Sequence, residues 1–292
     1  MPESAAQAWE KARTFHHSRW SARQIADERD CSVAVCLPAR ECAGTVGAIV
    51  SELISLRAQG VLDEVFVVDA GSRDGTAEVA AAAGAEVRQE ADLMPSFGEV
   101  RGKGDAMWRA LSAIDAELVC FLDADTERFG AHFATGLIGP LVCEPDVQFA
   151  KAFYRRPFVH GGLEVPEGGG RVNHLLARPA IELFYPELAG VRQPLAGEIA
   201  ARRELLEAVP FATGYGVEAA MLIDVWRAVG LEGMAQVDLD EHRNAHQSLP
   251  ALAPMARTVL AAIARRAQEE GRLHAEVQPP LERPPLQSVT VA

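Results

Sequence analysis

The sequence predicts an α/β fold in which helices cover both faces of a mostly parallel sheet. Three observations support this prediction. Short apolar segments alternate with helical segments through the first half of the chain. Polar residues follow three of these apolar segments, at the strand ends where open α/β sheets bind their ligands. Of the 292 residues, 49% are hydrophobic and 24% are charged, a balance that can supply a full core.

The charge balance argues against a nucleic-acid partner. The chain has 41 acidic and 28 basic residues and a net charge of −13, whereas binding to nucleic-acid phosphates needs clustered Lys and Arg. The five cysteines form no CxxC pair. The sequence shows no secretory signal and no apolar run of membrane-spanning length. We therefore expect a reduced, cytoplasmic protein that does not bind membranes.

The predicted elements begin with a polar helix within residues 1–30 that lies outside the core. Glycine follows two of the next helices, and glycine tolerates the left-handed conformation that commonly ends a helix. In order, the elements are a strand at 32–39, a helix ending at Gly60, a strand at 63–71, a helix ending at Gly84, a strand at 85–90, a helix at 104–116 and a strand at 117–125. This alternation predicts parallel strands joined by helices.

The second half of the chain is less regular. Residues 147–158 and 214–222 are predicted to form strands or strand-to-helix transitions, with a glycine-rich loop at 166–174 between them. Residues 234–240 are predicted to form a strand, and the proline-rich tail at 276–292 is predicted to be disordered. One α/β domain with an elaborated C-terminal half accounts for these segments.

Two aspartates follow the apolar segment LVCFL, in the sequence LVCFLDAD. Residues i and i+2 of an extended segment point the same way, so Asp123 and Asp125 can face one ligand. Two unpaired carboxylates this close repel each other, and a divalent cation such as Mg²⁺ or Mn²⁺ removes that conflict. The alternative is that the two side chains only cap the following turn.

The sequence DAGSRDGT places Asp69 at the end of the second predicted strand. A strand–turn–helix junction explains Gly71 in the turn and Asp74 as the N-cap of the next helix. It explains Asp69 less well, since a carboxylate at a strand end is not needed for the turn. Asp69 is therefore a candidate ligand-binding residue.

Two loops have the composition of anion sites. In RGKGDAMW, Lys103 lies between two glycines directly before a helix, which suits a phosphate, although the spacing is not that of a P-loop. In EGGGRVNH, three glycines allow backbone amides to approach an anion and Arg171 supplies a bidentate fork. Each loop could equally be a mobile surface loop.

The sequence DEHRNAH places His242 and His246 at i and i+4, beside Glu241. On a helix this spacing would suit zinc, but the segment fits a loop as well. One histidine that joins the two aspartates as a metal ligand is favoured over a separate zinc centre.

These segments, in this order, resemble the retaining GT-A glycosyltransferases of family 81, the glucosyl- and mannosyl-3-phosphoglycerate synthases. The resemblance extends from VCLPA to EHRN and includes GKGDAMWRAL, KAFYRRP, GGGRV, ARP, QPLAGE and PFATGYGVE. It implies a GT-A fold, a Rossmann-like sheet with helices on both faces. It also implies a homodimer, a donor-binding part at 31–150 and an acceptor-binding part at 151–275.

The resemblance also implies a site. A divalent metal, Mg²⁺ or Mn²⁺, would be held by Asp125 and His242 on the diphosphate of a sugar nucleotide. The implied catalytic residues are Asp125, Glu218 and Lys103. The donor nucleotide would contact Pro38, Ala39, Arg40, Glu41, Asp69, Ser72, Lys103, Asp123 and Ala124. The donor sugar would contact Leu195, Gly197 and Glu218, and 3-phosphoglycerate would contact Gly170, Arg171, Val172, Asn173 and Asn244.

The implied reaction moves a hexose to the 2-hydroxyl of 3-phosphoglycerate. Retention of configuration could proceed through a covalent intermediate or by same-face attack in which the leaving phosphate helps to deprotonate the acceptor. In the second case Glu218 positions the substrates and is not a nucleophile. The sequence leaves both routes open.

The chain departs from the family pattern at the donor side. It reads PARECA where the family commonly has PALNEE, and DAD where glucosyl relatives have DSD. Asn173 replaces a threonine beside the acceptor, and Asp240 replaces an arginine two positions before the metal histidine. We expect these changes to favour GDP-mannose as the donor, the alternative being UDP-glucose or GDP-glucose.

Two other function classes compete with this interpretation. A sugar nucleotidyltransferase should carry a glycine-rich activation loop directly after the first strand, where this chain has PARECAGT. A non-catalytic sugar-nucleotide binder would leave Arg171, Glu218 and His242 without a shared purpose beside the two aspartates.

Overall fold

The computed structural model describes residues 4–160, 163–166, 168–244 and 247–274. Its strands are β1 (Thr14–His16), β2 (Val33–Ala39), β3 (Glu64–Asp69), β4 (Glu86–Gln89), β5 (Leu118–Phe121), β6 (Phe149–Arg155), β7 (Phe158–His160), β8 (Leu163–Val165), β9 (Ile199–Arg202) and β10 (Met234–Glu241). His246 and the tail predicted to be disordered lie outside the described residues.

The helices lie between the strands. They are α1 (Ala5–Arg13), α2 (Ala22–Glu28), α3 (Val46–Ala58), α4 (Thr76–Ala82), α5 (Lys103–Leu111), α6 (His132–Cys143), α7 (Arg178–Phe184), α8 (Arg203–Ala208), α9 (Val217–Val229) and α10 (Leu249–Glu269). In the described parts of the chain, no helix combines the length and the apolar composition that crossing a membrane requires.

Eight strands form one mixed sheet in the order β1-β10-β6-β9-β5-β2-β3-β4, and β7 pairs with β8 in a separate hairpin. All neighbours in the large sheet are parallel except β9, which runs antiparallel to both β5 and β6. The prediction of a mostly parallel sheet is confirmed. Strand β9 was not predicted. It has only four residues, which is too short for an alternating pattern to stand out in the sequence.

The buried side chains divide into two clusters because successive residues of a strand point to opposite faces of the sheet. In β2, Ala34 and Cys36 belong to one cluster, while Val33, Val35 and Leu37 belong to the other. Both clusters include helical residues, so helices cover both faces as the sequence predicts. The strands and helices predicted between residues 32 and 125 are all present, with shorter bounds.

The prediction of a polar helix outside the core was wrong for the N-terminal segment. This segment forms α1, β1 and α2, and β1 pairs in parallel with β10 at the edge of the sheet. Trp9, Trp20 and Ile25 are buried, and the Trp9 indole N–H donates to the Met234 carbonyl at 3.1 Å. A few large apolar residues anchor an otherwise polar segment, so its average composition does not indicate its burial.

Residues 214–222 contain no strand, in contrast to one of the two predicted possibilities. Gly214–Gly216 forms a 3-10 turn and the rest begins α9. Most of α9 is buried, from Val217 to Val225, with Glu218 partly exposed. Because a helix buried on all sides is apolar on every face, its sequence lacks the 3.6-residue period that distinguishes a helix from a strand.

Candidate active site

A cavity of about 600 Å³ opens beyond the carboxyl ends of β2 and β5. This is the edge at which open α/β sheets bind ligands. Most of the site residues implied by the sequence line it, namely Pro38, Ala39, Arg40, Lys103, Asp123, Ala124, Asp125, Gly170, Arg171, Val172, Asn173, Leu195, Gly197, Glu218 and Asn244. Glu41, Asp69, Ser72 and His242 do not line it.

Lys103 is the first residue of α5 and lies between two carboxylates. Its Nζ donates to Asp123 Oδ1 at 2.6 Å and lies 3.2 Å from Glu218 Oε1. Burial opposes the charged ammonium, but Asp123 and Glu218 outweigh it and raise the pKa of Lys103. The lysine is therefore a fixed positive charge in the cavity wall, where it can stabilise negative charge on a bound ligand.

Gly197 makes this close approach possible. A Cβ added at Gly197 would lie 2.5 Å from Lys103 Nζ and 2.8 Å from Asp123 Oδ2. No side chain fits there without displacing the ion pair. The backbone of the segment before β9 thus packs directly on the charged group.

His242 lies behind this wall, directly after β10, and is 1% exposed. Its Nε2 lies 3.0 Å from Glu198 Oε1 and 3.1 Å from the Thr126 hydroxyl. The Tyr154 hydroxyl donates to Glu198 Oε2 at 2.7 Å. Burial would raise the pKa of Glu198, but His242 and Lys103 lower it to about 2. The same pairing raises the pKa of His242 against the effect of burial.

The structure offers ligand atoms for a divalent cation at this place. Donor atoms of Asp123, Glu198 and His242 lie within 4.8 Å of one another. Two buried atoms of these residues, His242 Nδ1 and Glu198 Oε1, have no hydrogen-bond partner in the described residues, although Glu198 Oε1 lies 3.0 Å from His242 Nε2 as an ion-pair contact. Carboxylate oxygens and an imidazole are ligands that Mg²⁺ and Mn²⁺ accept, so the residues fit such an ion.

Asp125 lies outside this three-residue group, although the sequence pairs it with His242. Its Oδ2 is 3.4 Å from the Asn244 amide nitrogen. Burial and the nearby Asp123 raise the pKa of Asp125. A carboxylate with a raised pKa next to a second carboxylate gains most from a cation, and this favours Asp125 as a further ligand.

Glu41, Ser72 and Asp69 form a hydrogen-bonded network at the end of β3. The Glu41 N–H donates to the Ser72 hydroxyl at 2.9 Å, and the Ser72 N–H donates to Asp69 Oδ2 at 3.1 Å. Glu41 has a left-handed backbone with φ of 53°. Asp69 is 1% exposed, and its Oδ1 has no hydrogen-bond partner among the residues that the structure describes. These residues brace the turns that carry Pro38 to Arg40.

Asp74 lies one position before the N-cap of α4, which is Gly75 rather than the predicted Asp74. Its Oδ1 still accepts from the Thr76 N–H at 3.0 Å, and its Oδ2 accepts from the Ala43 N–H at 3.0 Å. Asp74 therefore still accepts a hydrogen bond from the first turn of α4, although it lies one position before the N-cap.

Arg171 and Asn173, which follow the glycines of the glycine-rich loop, line the same cavity. The Arg171 guanidinium donates to the Gln247 carbonyl and lies 5.0 Å from the centre of the Phe158 ring. Asn173 is buried, and its Oδ1 accepts from the Leu195 N–H at 3.3 Å. Its Nδ2 has no hydrogen-bond partner in the described residues and remains available to a ligand.

Three residues of this site were not predicted from the sequence. Arg156 lines the cavity and donates to Asn244 Oδ1 at 2.5 Å. Glu198 pairs with His242, and Lys151 is buried. Lys151 and Glu198 each stand within apolar segments, FAKAFY and LAGEIAA. A charged residue in a buried strand needs a partner, and that signal was available from the sequence.

The Lys151 ammonium donates to the Ala196 carbonyl at 2.6 Å, which ties β6 to the loop before Gly197. Burial and the charge of Lys103 lower the pKa of Lys151 to about 8, although Glu218 and Glu198 act in the opposite direction. Lys151 therefore positions the loop on which the cavity wall depends.

Known proteins resemble this chain over most of its length. Residues 34–130 match the family model "Glycosyl transferase family 2". Glucosyl-3-phosphoglycerate synthase from Petrotoga mobilis is 38% identical over 270 residues, covering 89% of this chain and 82% of the relative. The chain belongs to the family of glucosyl- and mannosyl-3-phosphoglycerate synthases. As a member of this family it is a glycosyltransferase with a GT-A-like fold.

Two solved synthase structures are similar in fold. Mannosyl-3-phosphoglycerate synthase from Rubrobacter xylanophilus is 47% identical, with a TM-score of 0.85 and coverage of 94% of this chain and 87% of its own. Glucosyl-3-phosphoglycerate synthase from Mycobacterium tuberculosis, in complex with Mn²⁺, UDP-glucose and phosphoglyceric acid, is 37% identical, with a TM-score of 0.80 and coverage of 88% and 87%. The resemblance found in the sequence is confirmed at the level of the family and the fold.

Substitution of Gly197 by alanine should abolish transfer without unfolding the protein. The added methyl group must displace Lys103 or Asp123, and we expect kcat to fall about 100-fold or more, the loss typical of removing a charge-stabilising group. Gly44→Ala is the matched control, since a Cβ there meets nothing within 4 Å. Steady-state kinetics and circular dichroism measure the two effects. Full activity of Gly197→Ala would contradict the conclusion that activity depends on the space that Gly197 leaves for the Lys103–Asp123 pair.

The pKa of Lys151 predicts a stability difference that depends on pH. At pH 7 the folded and the unfolded chain both hold the Lys151 proton. Between pH 8 and 10.5 the folded protein loses it first, so unfolding requires proton uptake and the wild type gains stability as the pH rises. Relative to Lys151→Met, the gain in unfolding free energy should reach about 3 kcal/mol. Urea unfolding of both proteins at pH 7, 8, 9 and 10 tests this, and a constant difference would contradict it.

Proposed function

We propose that the protein transfers a hexose, with retention of configuration, from a nucleoside diphosphate sugar to the 2-hydroxyl of 3-phosphoglycerate. One observation supports this most. One cavity is lined both by the Lys103–Asp123–Glu218 group and by the guanidinium side chains of Arg171 and Arg156. The first group suits a diphosphate and its sugar, and the two arginines suit a small phosphorylated acid. The names of the relatives, which are hexosyl-3-phosphoglycerate synthases, support the same acceptor.

We infer that Asp125 and His242 hold a divalent cation, Mg²⁺ or Mn²⁺, with Asp123 and Glu198 close by. When bound, the ion would neutralise charge on the diphosphate. The unpartnered His242 Nδ1 and the crowded carboxylates support this assignment. The complex of the Mycobacterium tuberculosis relative with Mn²⁺ and UDP-glucose supports a divalent ion of this kind.

Lys103 and Glu218 have the positions for the chemical step. The Lys103 ammonium would stabilise negative charge on the departing nucleoside diphosphate as its bond to the sugar breaks. Glu218, 3.2 Å from Lys103 Nζ and partly buried, would orient the donor sugar and the acceptor hydroxyl. The oxygens of the Glu218 side chain are hydrogen-bond acceptors that suit sugar hydroxyls.

The acceptor would occupy the wall formed by the glycine-rich loop. Arg171 would bind the phosphate as a bidentate fork, and the backbone at Gly170 and Val172 would contribute N–H groups. The unpartnered Asn173 Nδ2 and the Asn244 amide would bind the carboxylate. Arg156, whose buried Nε lacks a partner in the described part of the chain, would add a second positive charge.

GDP-mannose is the favoured donor. Three of the departures from the family pattern, Arg40, Cys42 and Ala124, line the cavity. The similarity to a mannosyl-3-phosphoglycerate synthase at 47% identity supports this choice. The alternative, a glucosyl donor carried by UDP or GDP, is supported by the curated relatives, which are named glucosyl-3-phosphoglycerate synthases. A homodimer is part of the proposal, and light scattering would test it.

Product analysis tests the proposed function. Enzyme, Mg²⁺ and 3-phosphoglycerate are incubated separately with GDP-mannose, UDP-glucose and GDP-glucose. We expect free nucleoside diphosphate and a hexosyl-3-phosphoglycerate, with the largest kcat/KM for GDP-mannose and no turnover in chelator.

A clear preference for UDP-glucose would overturn the donor assignment alone. Release of pyrophosphate in place of nucleoside diphosphate would favour a nucleotidyltransferase. Donor binding without any product would favour a non-catalytic binder.

Substitution of Arg171 by alanine should mainly raise KM for 3-phosphoglycerate. A lost charge-assisted hydrogen bond of about 1.5–3 kcal/mol corresponds to a rise of about 10- to 150-fold. Arg178→Ala is the matched control, because Arg178 lies seven residues further along, pairs only with Glu182 at 3.5 Å among the contacts described, and does not line the cavity. Equal effects of the two substitutions, or an effect on donor KM only, would contradict the acceptor assignment.

A further inference from the structure

A second group of metal-ligating side chains lies at the far edge of the sheet, where β1 meets β10. His16 Nε2 lies 3.3 Å from Asp240 Oδ1, and His17 Nε2 lies 2.8 Å from Asp240 Oδ2. The ligand atoms of these three residues are within 4.8 Å of one another. The two imidazole rings lie side by side, with centroids 4.3 Å apart, and present the same ring nitrogen to one carboxylate.

These separations suit a small tetrahedral ion. A zinc ion with nitrogen and oxygen ligands at about 2.0–2.2 Å keeps its ligand atoms roughly 3.3–3.5 Å apart. The separations of 2.8 and 3.3 Å run to different oxygens of Asp240, and one ligand atom from each of the three residues lies within 4.8 Å of the others, so side-chain adjustment can bring the three atoms to this spacing. Two imidazoles and one carboxylate favour a borderline transition metal over Mg²⁺ or Ca²⁺, which bind mainly through oxygen ligands.

Neighbouring groups hold the ligands in place. His16 Nδ1 accepts from the Ser18 backbone N–H at 3.3 Å and lies 2.7 Å from the Ser18 hydroxyl, and these contacts orient the ring with Nε2 toward Asp240. The ring of His132, at the start of α6, packs against the ring of His17, with centroids 4.5 Å apart. This third imidazole supports the position of His17.

The backbone at Asp240 adopts an unusual conformation that directs its carboxylate to β1. Asp240 has φ of 65°, and its N–H donates to Asp238 Oδ1 at 2.9 Å. The pairing of β10 with β6 shifts register between Asp238 and Glu241, as at a β-bulge. Bulges commonly re-aim one side chain, and a non-glycine residue in the left-handed region is uncommon.

We propose that His16, His17 and Asp240 form a second metal site, for a borderline divalent transition metal such as Zn²⁺, with water completing the coordination. The ion would fasten the short edge strand β1 to β10. A three-residue edge strand has few ladder hydrogen bonds of its own, so a cross-strand metal ion would stabilise it. This site is separate from the proposed catalytic metal and uses none of its ligands.

Zn²⁺ binding to the full chain tests the proposal. Zinc is titrated in competition with a chromogenic chelator, in the presence of saturating Mg²⁺, into wild type and a His16→Gln/His17→Gln double variant. Zinc bound at the catalytic carboxylates would be common to both proteins, so the difference between them reports the new site. We expect wild type to bind one zinc ion more than the double variant, and zinc to raise the Tm of wild type by more.

Two further variants keep the test decisive. Asp240→Asn preserves the side-chain shape and tolerates the left-handed backbone, and it should weaken the additional zinc site about tenfold or more. His174→Gln removes an exposed histidine elsewhere and should leave it unchanged. Equal zinc stoichiometry and affinity in wild type and Asp240→Asn would overturn the proposal, as would an equal loss in His174→Gln. Circular dichroism establishes that each variant is folded.

Discussion

The structure of the site depends on the pairing of Lys103 with Asp123 and Glu218. Several carboxylates converge at the carboxyl ends of the strands, and like charges this close repel one another unless a cation lies between them. The lysine offsets part of this charge from within the protein. It can do so only because Gly197 leaves room for its ammonium group, so a backbone position without a side chain is as necessary to the site as the charged residues.

A second layer of buried charge supports the first. Glu198 and His242 form an ion pair that is almost fully removed from solvent, and Lys151 anchors the loop between Glu198 and the cavity wall. Buried charges are costly unless they are paired, and removing one partner leaves the other uncompensated. The site is therefore rigid at its base. Within the described residues, the Asn173 Nδ2 atom has no hydrogen-bond partner, and Asn173 lines the cavity, so this N–H group can donate to a ligand.

Strand β10 connects the two ends of this arrangement. It begins under the indole of Trp9, pairs with β1 along one side, and delivers His242 directly after its last residue. The N-terminal segment thus completes the edge of the strand that carries a candidate metal ligand. This explains why a segment with a polar composition is packed into the core. It also places the cluster at Asp240, two residues before His242, between the N-terminal segment and the active site.

The sequence by itself determined the alternation of strands and helices up to residue 125, the strand-end aspartates and the family, because these depend on local periodicity and on motifs contiguous in the chain. Only the tertiary structure decided which charges meet. Glu198 and Lys151 stand out as charges within apolar segments, but the sequence does not show which groups they contact, and the antiparallel β9 is too short to show a period. The grouping of Asp123 with Glu198 and His242, separate from Asp125, joins residues up to 119 positions apart. Contacts at such separations depend on sheet order and register, which no local pattern encodes.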